Sequence, residues 1–313
     1  AQFGGNDQSN TIMPRSGAAY TAYQTARPTL ALSSTSMLPI TPTGFAGPEL
    51  GFAPTLPGLR TLFEQGRCAV LANVGSLVEP ITRDQWRAGT RRVPRQLFSH
   101  SDQYTIWESG LPDRTSQSGW LGRLGDFTAG AFNPNSQISL TMSIAGTSLM
   151  LAGDQTIQYQ ISAAGVERVQ NTSALYGSDA GGAALRQLLT RQGTSNFENS
   201  LTNISTRALN NASLIEDALA AQPPLTTVFP NTGLANQAKM VARLIGARRQ
   251  LGQRRQIFLI SSGGWDNHGS IVDEHPGQLS QLDGAMSALY AATVEMGVAS
   301  SVTSFTASEF GRC

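Results

Sequence analysis

The feature that most constrains the fold is a strand–helix–strand unit near the carboxyl end of the chain. Apolar runs of strand length occupy 256–266 and 301–310. Between them, at 278–296, apolar residues recur at helical spacing, and Gly297 follows as a stop signal. Two strands joined by such a helix lie parallel in one sheet with a right-handed crossover. The unit therefore predicts a parallel sheet.

The same alternation extends toward the amino end. An amphipathic helix predicted at 234–251 leads into the strand at 256–262, and the apolar run 68–76 is predicted as a further strand. We expect 68–76, 256–262 and 301–307 to be neighbouring or near-neighbouring strands. Repeated alternation favours a single α/β domain over 1–313, with a mainly parallel central sheet and helices on both faces.

Two stretches depart from this pattern. Residues 135–175 alternate apolar and polar side chains with period two and carry turn glycines. That pattern is typical of antiparallel strands with one wet face, so it predicts a small β-rich insert apart from the central sheet. Residues 30–57, with scattered proline and glycine, are predicted to be an irregular connection.

The composition argues against several classes of protein. The net charge is +1 and no basic run exceeds two arginines, whereas nucleic-acid binding needs a concentrated basic face. No segment approaches the roughly 20 apolar residues that a membrane span requires. Two cysteines are too few for a disulfide framework or a cysteine-built metal site. We therefore expect no nucleic-acid partner and no membrane span.

The two ends of the sequence resemble interior pieces of a fold. The opening "AQFGGND" looks like the tail of a strand whose apolar body would lie further upstream, and the closing "VTSFTASEFGRC" is a predicted strand with its following loop. We expect the sequence to be part of a longer chain, truncated at both ends.

Polar residues follow the predicted strands at the points where the strands end. Asp7 follows the opening segment, Asp266 and His268 follow the strand at 256–262, and Glu309 ends the last strand. Ligands of open α/β sheets bind beyond the carboxyl ends of the strands. Carboxylate and imidazole groups suit divalent Zn, Mn, Mg or Ca. These four residues are therefore candidate metal ligands, although acids are also common in ordinary loops.

A fourth element is "LFSHSDQYTIWESG" at 97–110. Ser99 or Ser101 can cap a helix that continues from there. A serine at a helix start can also act as a nucleophile, because the backbone N–H groups there favour an anionic oxygen. His100 is a metal ligand, a general acid or a surface residue, and spacing does not decide among these. His275 precedes a proline in a polar stretch and is predicted to be solvated.

Taken together, these elements resemble the bacterial DUF1501 family. The stretches that carry the resemblance are short but occur jointly across nearly the whole chain: "GGNDQSNTIMP" (4–14), "SHSDQYTIWESG" (99–110), "GWLGR" (119–123), "GGWDNH" (263–268) and "SEFGR" (308–312). That family is similar to the alkaline phosphatase superfamily, which includes sulfatases. The resemblance implies a three-layer α/β/α sandwich.

The resemblance also implies a mechanism with one or two divalent metals and a nucleophile at a helix start. By position, Asp7 matches the metal-binding acid after the first strand, and Ser99 matches the nucleophile. Asp266 and His268 look like the mid-chain metal pair, although more tightly spaced than usual. Glu309 stands where a sulfatase-like chain has an aspartate, and Phe310 replaces the histidine that follows it.

Further expectations come with the resemblance. Members commonly carry a twin-arginine export signal, which implies a periplasmic or extracellular bacterial protein. The superfamily has a later Asp-His-Gly motif, which falls beyond the end of this sequence. In such a site, Arg123 or Arg312 would clamp the oxyanion of the substrate.

Three functions remain open from the sequence. The first is a metal-dependent hydrolase of a small-molecule or polymer phosphate or sulfate ester. The second is a catalytically inactive exported protein, structural or involved in surface assembly and so capable of self-assembly. Phe310 and the presence of only three histidines favour this alternative. The third is a module that binds an extracellular polymer through 135–175.

Overall fold

A computed structural model describes residues 1–311 as a mixed α/β protein. The helices are α1 (Gly17–Ala26), α2 (Pro57–Glu64), α3 (Arg83–Ala88), α4 (His100–Ser109), α5 (Trp120–Phe132), α6 (Asp179–Thr190), α7 (Asn196–Ala220), α8 (Gly233–Gly246) and α9 (Ile271–Glu295). The strands are β1 (Ile12–Pro14), β2 (Leu38–Ile40), β3 (Leu50–Phe52), β4 (Thr141–Ser143), β5 (Tyr159–Gln160) and β6 (Ile257–Leu259).

The strands β5, β4 and β6 form a small parallel sheet in the order β5–β4–β6. The first residues extend this sheet beyond β6, because Gln2 forms parallel bridges with both Ser262 and Ser308. The amide of Gln2 donates to the carbonyl of Ala307 at 2.8 Å, and the amide of Phe3 donates to Ser262 at 3.0 Å. The start of the chain thus lies between the continuation of β6 and the segment before Glu309.

The predicted helices at 234–251 and 278–296 are confirmed as α8 and α9, and the strand at 256–262 is confirmed as β6. Helices α8 and α9 pack on each other, and their buried apolar side chains form the main core with β4. Burying this amphipathic pair supplies the apolar contact that stabilises the sheet. The α8–α9 pair therefore fixes the position of β6 and of the residues that follow it.

Two strand predictions are wrong. Residues 68–76 are an irregular, mostly exposed segment in which Leu71 is 84% exposed. A short apolar run forms a strand only where it pairs with another strand, and among residues 1–311 no strand pairing involves 68–76. In the range predicted as a strand, 301–307, Ser301 ends a 3-10 turn (Ala299–Ser301) and 302–307 continue as extended but irregular chain. Pairing at that end consists of isolated parallel bridges, from Ser308 to Gln2 and from Gly311 to Asn6.

The prediction of an antiparallel insert at 135–175 is also wrong. That stretch supplies β4 and β5, which pair in parallel, and β4 is the middle strand of the sheet. The polar positions Thr141 and Ser143 were expected to face solvent, but both are fully buried, and the hydroxyl of Ser143 accepts the amide of Ala145. Hydroxyls satisfied inside the protein can mimic the alternation of a half-exposed strand.

The antiparallel sheet of this structure lies instead in the amino-terminal part, in the order β1–β3–β2. Strands β2 and β3 come from 30–57, which was predicted to be irregular. Each strand is three residues long, below the four to eight residues that periodicity can recognise. The sheet covers a second core that includes Met13, Phe52 and Trp265.

His275 is buried in α9 rather than solvated, with 3% of its surface exposed. Its Nε2 atom lies 2.9 Å from Oδ1 of Asn6, and its ring meets that of Trp265 edge-on. Burial lowers the pKa of His275; the charge of Asp7 opposes this shift and that of Arg27 adds to it. The imidazole is thus held in its neutral form inside the fold.

The burial of His275 predicts that the free energy of unfolding falls as the pH is lowered. Because the folded pKa lies below the ordinary value of 6.5, the unfolded chain binds the proton first as pH falls below that value, and stability is lost. We expect the free energy of unfolding to decrease less between pH 7.5 and 5.5 in His275→Gln than in the unchanged protein. Urea denaturation at each pH measures this difference.

The matched control is His268→Gln, since the side chain of His268 is 74% exposed. It should retain the pH dependence of the unchanged protein. Equal pH dependence in His275→Gln and the unchanged protein would show that the buried imidazole is not the group responsible.

Candidate functional site

The candidate site is organised around a hydrogen bond between two side chains 209 positions apart in sequence. Nδ1 of His100, the first residue of α4, lies 2.8 Å from Oε1 of Glu309. Glu309 is buried, and the same oxygen accepts the amide of Gly4 at 2.7 Å. Because a carboxylate oxygen that accepts one N–H bond is an acceptor toward its other partner also, His100 carries its hydrogen on Nδ1 when neutral. Glu309 thereby fixes the tautomer and orientation of the ring.

Asp266 and His268 continue this series of contacts. Nε2 of His100 lies 3.4 Å from Oδ1 of Asp266, and Nδ1 of His268 lies 3.1 Å from the same oxygen. Four of the six residues predicted for the site are thus linked as Glu309–His100–Asp266–His268. Exposure rises along the series, from a buried Glu309 to a largely exposed His268. The cluster therefore runs from the core to the surface.

Gly4 is required at this position by its surroundings. Its φ of +127° lies in a region that side chains rarely adopt, and a Cβ atom there would lie 2.3 Å from the backbone nitrogen of Asp266. Its amide must also reach Glu309. A glycine at this point lets the opening segment, residues 1–6, approach the Asp266 loop closely. Asp266 and Glu309 can then both contact His100.

Aromatic rings enclose the imidazole of His100. The ring of Phe310 lies 4.7 Å from it and that of Phe3 lies 6.3 Å away, centroid to centroid. Phe3 also meets Tyr104 edge-on at 5.1 Å. Burial, followed by the charges of Glu108 and Glu309, raises the pKa of Tyr104 to about 12, so this phenol stays neutral. These rings limit the freedom of the imidazole and its contact with water.

Ser99 caps α4, as the sequence predicted. Its hydroxyl oxygen accepts the amide of Asp102, and the hydroxyl donates to Oδ2 of Asp102 at 2.5 Å. Asp102 was not among the predicted residues, although the spacing Ser-x-x-Asp is a recognisable capping signal. The capping function is thus present, and the nucleophilic role of Ser99 stays a prediction.

Asp7 is engaged in a buried ion pair. Both of its carboxylate oxygens accept from the guanidinium of Arg27, each at 2.7 Å, and the two side chains are 0% and 8% exposed. A bidentate pair of this kind satisfies a buried carboxylate fully. Its sequence separation of 20 positions gives no local signal, so the partner was missed. Metal binding by Asp7 stays a prediction that must compete with Arg27.

Arg123, one of the two arginines expected to clamp the oxyanion, is engaged by backbone carbonyls. Arg123 donates to the carbonyls of Ser118 and Ser109, at 2.7 and 2.5 Å, and so joins α5 to the end of α4. Arg312 lies outside the described residues. Among residues 1–311, the charged partners of His100 are the two acids Asp266 and Glu309.

Among the described residues, the predicted metal ligands do not form a set of donors around one point. Among residues 1–311, no group of three or more histidine, cysteine, aspartate or glutamate side chains is arranged to hold a metal ion. Asp7 gives its oxygens to Arg27, and His100 directs both ring nitrogens at carboxylates. The residues as placed form hydrogen-bonded acid–imidazole contacts instead. The metal roles of Asp266, His268 and Glu309 stay predictions.

The comparison with protein families identifies the class of the chain. The family described as "Protein of unknown function (DUF1501)" matches residues 2–313, and the chain belongs to this family. No curated protein and no solved structure matches it. Within the described residues, no helix combines the length and apolar character that crossing a membrane requires.

The buried pair predicts a large stability effect at Asp7. Asp7→Asn leaves the Arg27 charge unpaired in the core, so we expect the free energy of unfolding to fall by about 3–5 kcal/mol in metal-free protein. Chemical denaturation with a chelator present measures this value. Glu49→Gln is the matched control, because the Arg15–Glu49 pair is exposed and such pairs contribute about 0–1 kcal/mol. Similar losses in both variants would contradict a structural role for the Asp7–Arg27 pair.

Proposed function

We propose that this chain is a hydrolase of a phosphate or sulfate ester, in which His100 moves a proton. The observation that carries the proposal is the series Glu309–His100–Asp266–His268, with a buried carboxylate at one end and solvent at the other. In this proposal, Glu309 holds one imidazole nitrogen, as the carboxylate does in catalytic triads, and the other nitrogen, 3.4 Å from Asp266, acts as acid or base. The resemblance of the sequence to the alkaline phosphatase superfamily is the reason for choosing this substrate class.

In this proposal, the two nitrogens of His100 have different tasks. Nδ1 is held by Glu309, and Nε2 lies beside Asp266 on the more exposed side of the ring. In the neutral form, Nε2 can accept the proton of an attacking hydroxyl. In the protonated form, it can donate that proton to the departing alcohol oxygen, and Asp266 and Glu309 offset the positive charge on the ring meanwhile.

The start of α4 supplies the second part of the proposal. The attacking oxygen is the Ser99 hydroxyl or a water molecule, and it adds to phosphorus or sulfur as the bond to the alcohol oxygen breaks. Amides in the first turn of a helix of this length favour an anionic oxygen. With Ser99 as the attacking group, Asp102 would accept the hydroxyl proton across the 2.5 Å contact. His100 would then protonate the departing alcohol and afterwards accept the proton of the water that hydrolyses the seryl ester.

A divalent cation, whether Zn, Mn, Mg or Ca, belongs to the proposal only as an expectation from the sequence. Among residues 1–311, no group of three or more candidate ligands is arranged to hold it, and the proposed steps use only side chains of the chain itself. The same holds for the finer details of the resemblance, namely a three-layer α/β/α sandwich of the alkaline phosphatase type and export to the periplasm or beyond. The coarse α/β class and the parallel sheet are compatible with that sandwich.

A second candidate is an exported structural or assembly protein without catalytic activity. Two observations favour it: Arg27 neutralises Asp7, and the ring of Phe310 lies against His100. In that case, the acid–imidazole contacts serve only to join the opening segment (residues 1–6), α4 and the segment that carries Glu309. Catalytic turnover separates the two candidates.

The proposal predicts a loss of activity when the His100–Glu309 pair is broken. We expect kcat/KM to fall by about 100-fold or more in His100→Gln, because proton transfer by a positioned side chain contributes factors of this size. Glu309→Gln should also lower kcat, since the ring loses its orientation. Hydrolysis of p-nitrophenyl phosphate and p-nitrophenyl sulfate measures both, with thermal unfolding as a check on folding.

The matched control is Glu49→Gln, an exposed carboxylate outside the site, which should leave turnover unchanged. Each assay is run with a chelator and with Zn²⁺, Mn²⁺, Mg²⁺ and Ca²⁺ separately. Absence of turnover of both esters under all of these conditions would favour the structural candidate. Full activity in a folded His100→Gln protein would exclude His100 as the proton carrier.

A further inference from the structure

A cavity of about 620 Å³ lies between α5 and α7, and we call it the α5–α7 cavity. Its base is formed by the residues that lead into β4 (136–140) and into β5 (155–158), and its whole lining lies between residues 126 and 211. These two stretches precede parallel strands, whereas Asp266 and His268 follow the parallel strand β6. The cavity and the candidate site are therefore at opposite edges of the sheet.

One wall of the cavity is a single face of α7. Ile204, Arg207, Ala208 and Asn211 border the cavity. Their spacings of three and four residues place them on the same side of a helix. This face therefore directs two polar and two apolar residues toward the cavity.

Asn211 is buried on this wall without a hydrogen-bond partner. Only 6% of its surface is exposed, yet its side-chain amide makes no hydrogen bond within residues 1–311. Burying an amide without a partner costs free energy, so such groups are normally paired. Because Asn211 borders the cavity, a molecule bound there can supply the missing partner.

Two further polar groups border the cavity. The guanidinium of Arg207, one turn before Asn211, forms no ion pair in the described part of the chain. The hydroxyl of Tyr159, the first residue of β5, has no hydrogen-bond partner there either. Burial, and then the charge of Glu216, raises the pKa of Tyr159, so the phenol is a neutral donor. The cavity thus offers N–H and O–H donors together with one positive charge.

The acid that borders the cavity is already engaged by the protein. Asp126 lies on the α5 wall and accepts the amides of Asp154, Gln155 and Thr156 at 2.6, 3.1 and 2.5 Å. Burial acts to raise the pKa of Asp126, but these hydrogen bonds outweigh it and hold the pKa below its ordinary value. The carboxylate is therefore ionised, and backbone donors compensate its charge. It stands across the cavity from Arg207, so it leaves the positive charge on the α7 wall available.

The remaining surface of the cavity is largely apolar. Ile138 and Leu140 belong to its base, and each is 3% exposed. Ile157 and Ile204 also border it, but they are 63% and 56% exposed. Covering these two isoleucines with an apolar group would remove their side chains from water, which is favourable.

We infer that the α5–α7 cavity binds a small monocarboxylic acid with an apolar body. The carboxylate accepts charge-assisted hydrogen bonds from Arg207 and a hydrogen bond from the amide of Asn211. The apolar body lies against Ile157 and Ile204. Cavities of about 300–1,000 Å³ are usual for small-molecule ligands. The inference is independent of the proposed ester hydrolysis, because the two sites lie at opposite edges of the sheet.

The first test measures the binding of octanoate by isothermal titration calorimetry, with 1-octanol as the matched ligand that lacks the charge. We expect octanoate to bind more tightly than octanol. Arg207→Gln should weaken octanoate binding by about tenfold or more, because hydrogen bonds to charged groups contribute factors of this size. Arg186→Gln is the matched control and should not change binding, since Arg186 is an exposed residue of α6 outside the cavity.

The second test uses Asn211→Leu to separate ligand binding from a structural role. This variant should weaken octanoate binding by about tenfold. In the ligand-free protein, the midpoint of urea denaturation should stay the same or rise, because an unpaired amide is removed from the interior. A residue that made a structural hydrogen bond would instead lower the midpoint when replaced.

Four results would overturn the inference. The first is the absence of octanoate binding to the unchanged protein at millimolar concentrations, and the second is equally tight binding of octanol. The third is an equal effect of Arg207→Gln and Arg186→Gln on octanoate binding. The fourth is a lowered denaturation midpoint of Asn211→Leu with octanoate binding retained, which would assign Asn211 to the fold alone.

Discussion

The hydrogen bonds accepted by Glu309 are the interaction on which the site depends. A buried carboxylate must be paired with donors, since leaving it without them costs several kcal/mol. Glu309 meets this requirement with the amide of Gly4 and the ring of His100. These contacts bring together the opening segment (residues 1–6), the start of α4 and the last described segment. The position of His100 beside Asp266 follows from that convergence.

The opening segment, residues 1–6, links the parallel sheet to the candidate site. At one end, Gln2 bridges Ser262 and Ser308 in parallel. At the other, Gly4 donates to Glu309, and the amide of Asn6 donates to the hydroxyl of Ser308. The same few residues therefore join the sheet to the segment that presents Glu309 to His100.

Local patterns were sufficient to predict part of this structure. The helical spacing of α8 and α9 and the cap at Ser99 are encoded within single segments, so the sequence alone revealed them. The strand predictions at 68–76 and 301–307 failed because strand formation depends on a partner edge, which a local pattern does not contain.

The candidate site was predictable only as a set of polar residues at strand ends. Its connections depend on contacts between distant segments. No spacing rule predicts that Arg27 pairs with Asp7, that buried His275 contacts Asn6 or that Gly4 donates to Glu309. The same holds for the parallel pairing of β4, whose buried hydroxyls imitate a solvent-facing pattern. Tertiary packing decided each of these cases.

The most direct test of the account is nitrogen-15 NMR of the histidine side chains, with His100 assigned by comparison with His100→Gln. The account predicts that neutral His100 is protonated on Nδ1 and that Glu309→Gln, while still folded, removes this tautomer preference. An Nε2-protonated His100 in the unchanged protein, or a spectrum of His100 unaffected by Glu309→Gln, would contradict the claim that Glu309 positions the imidazole.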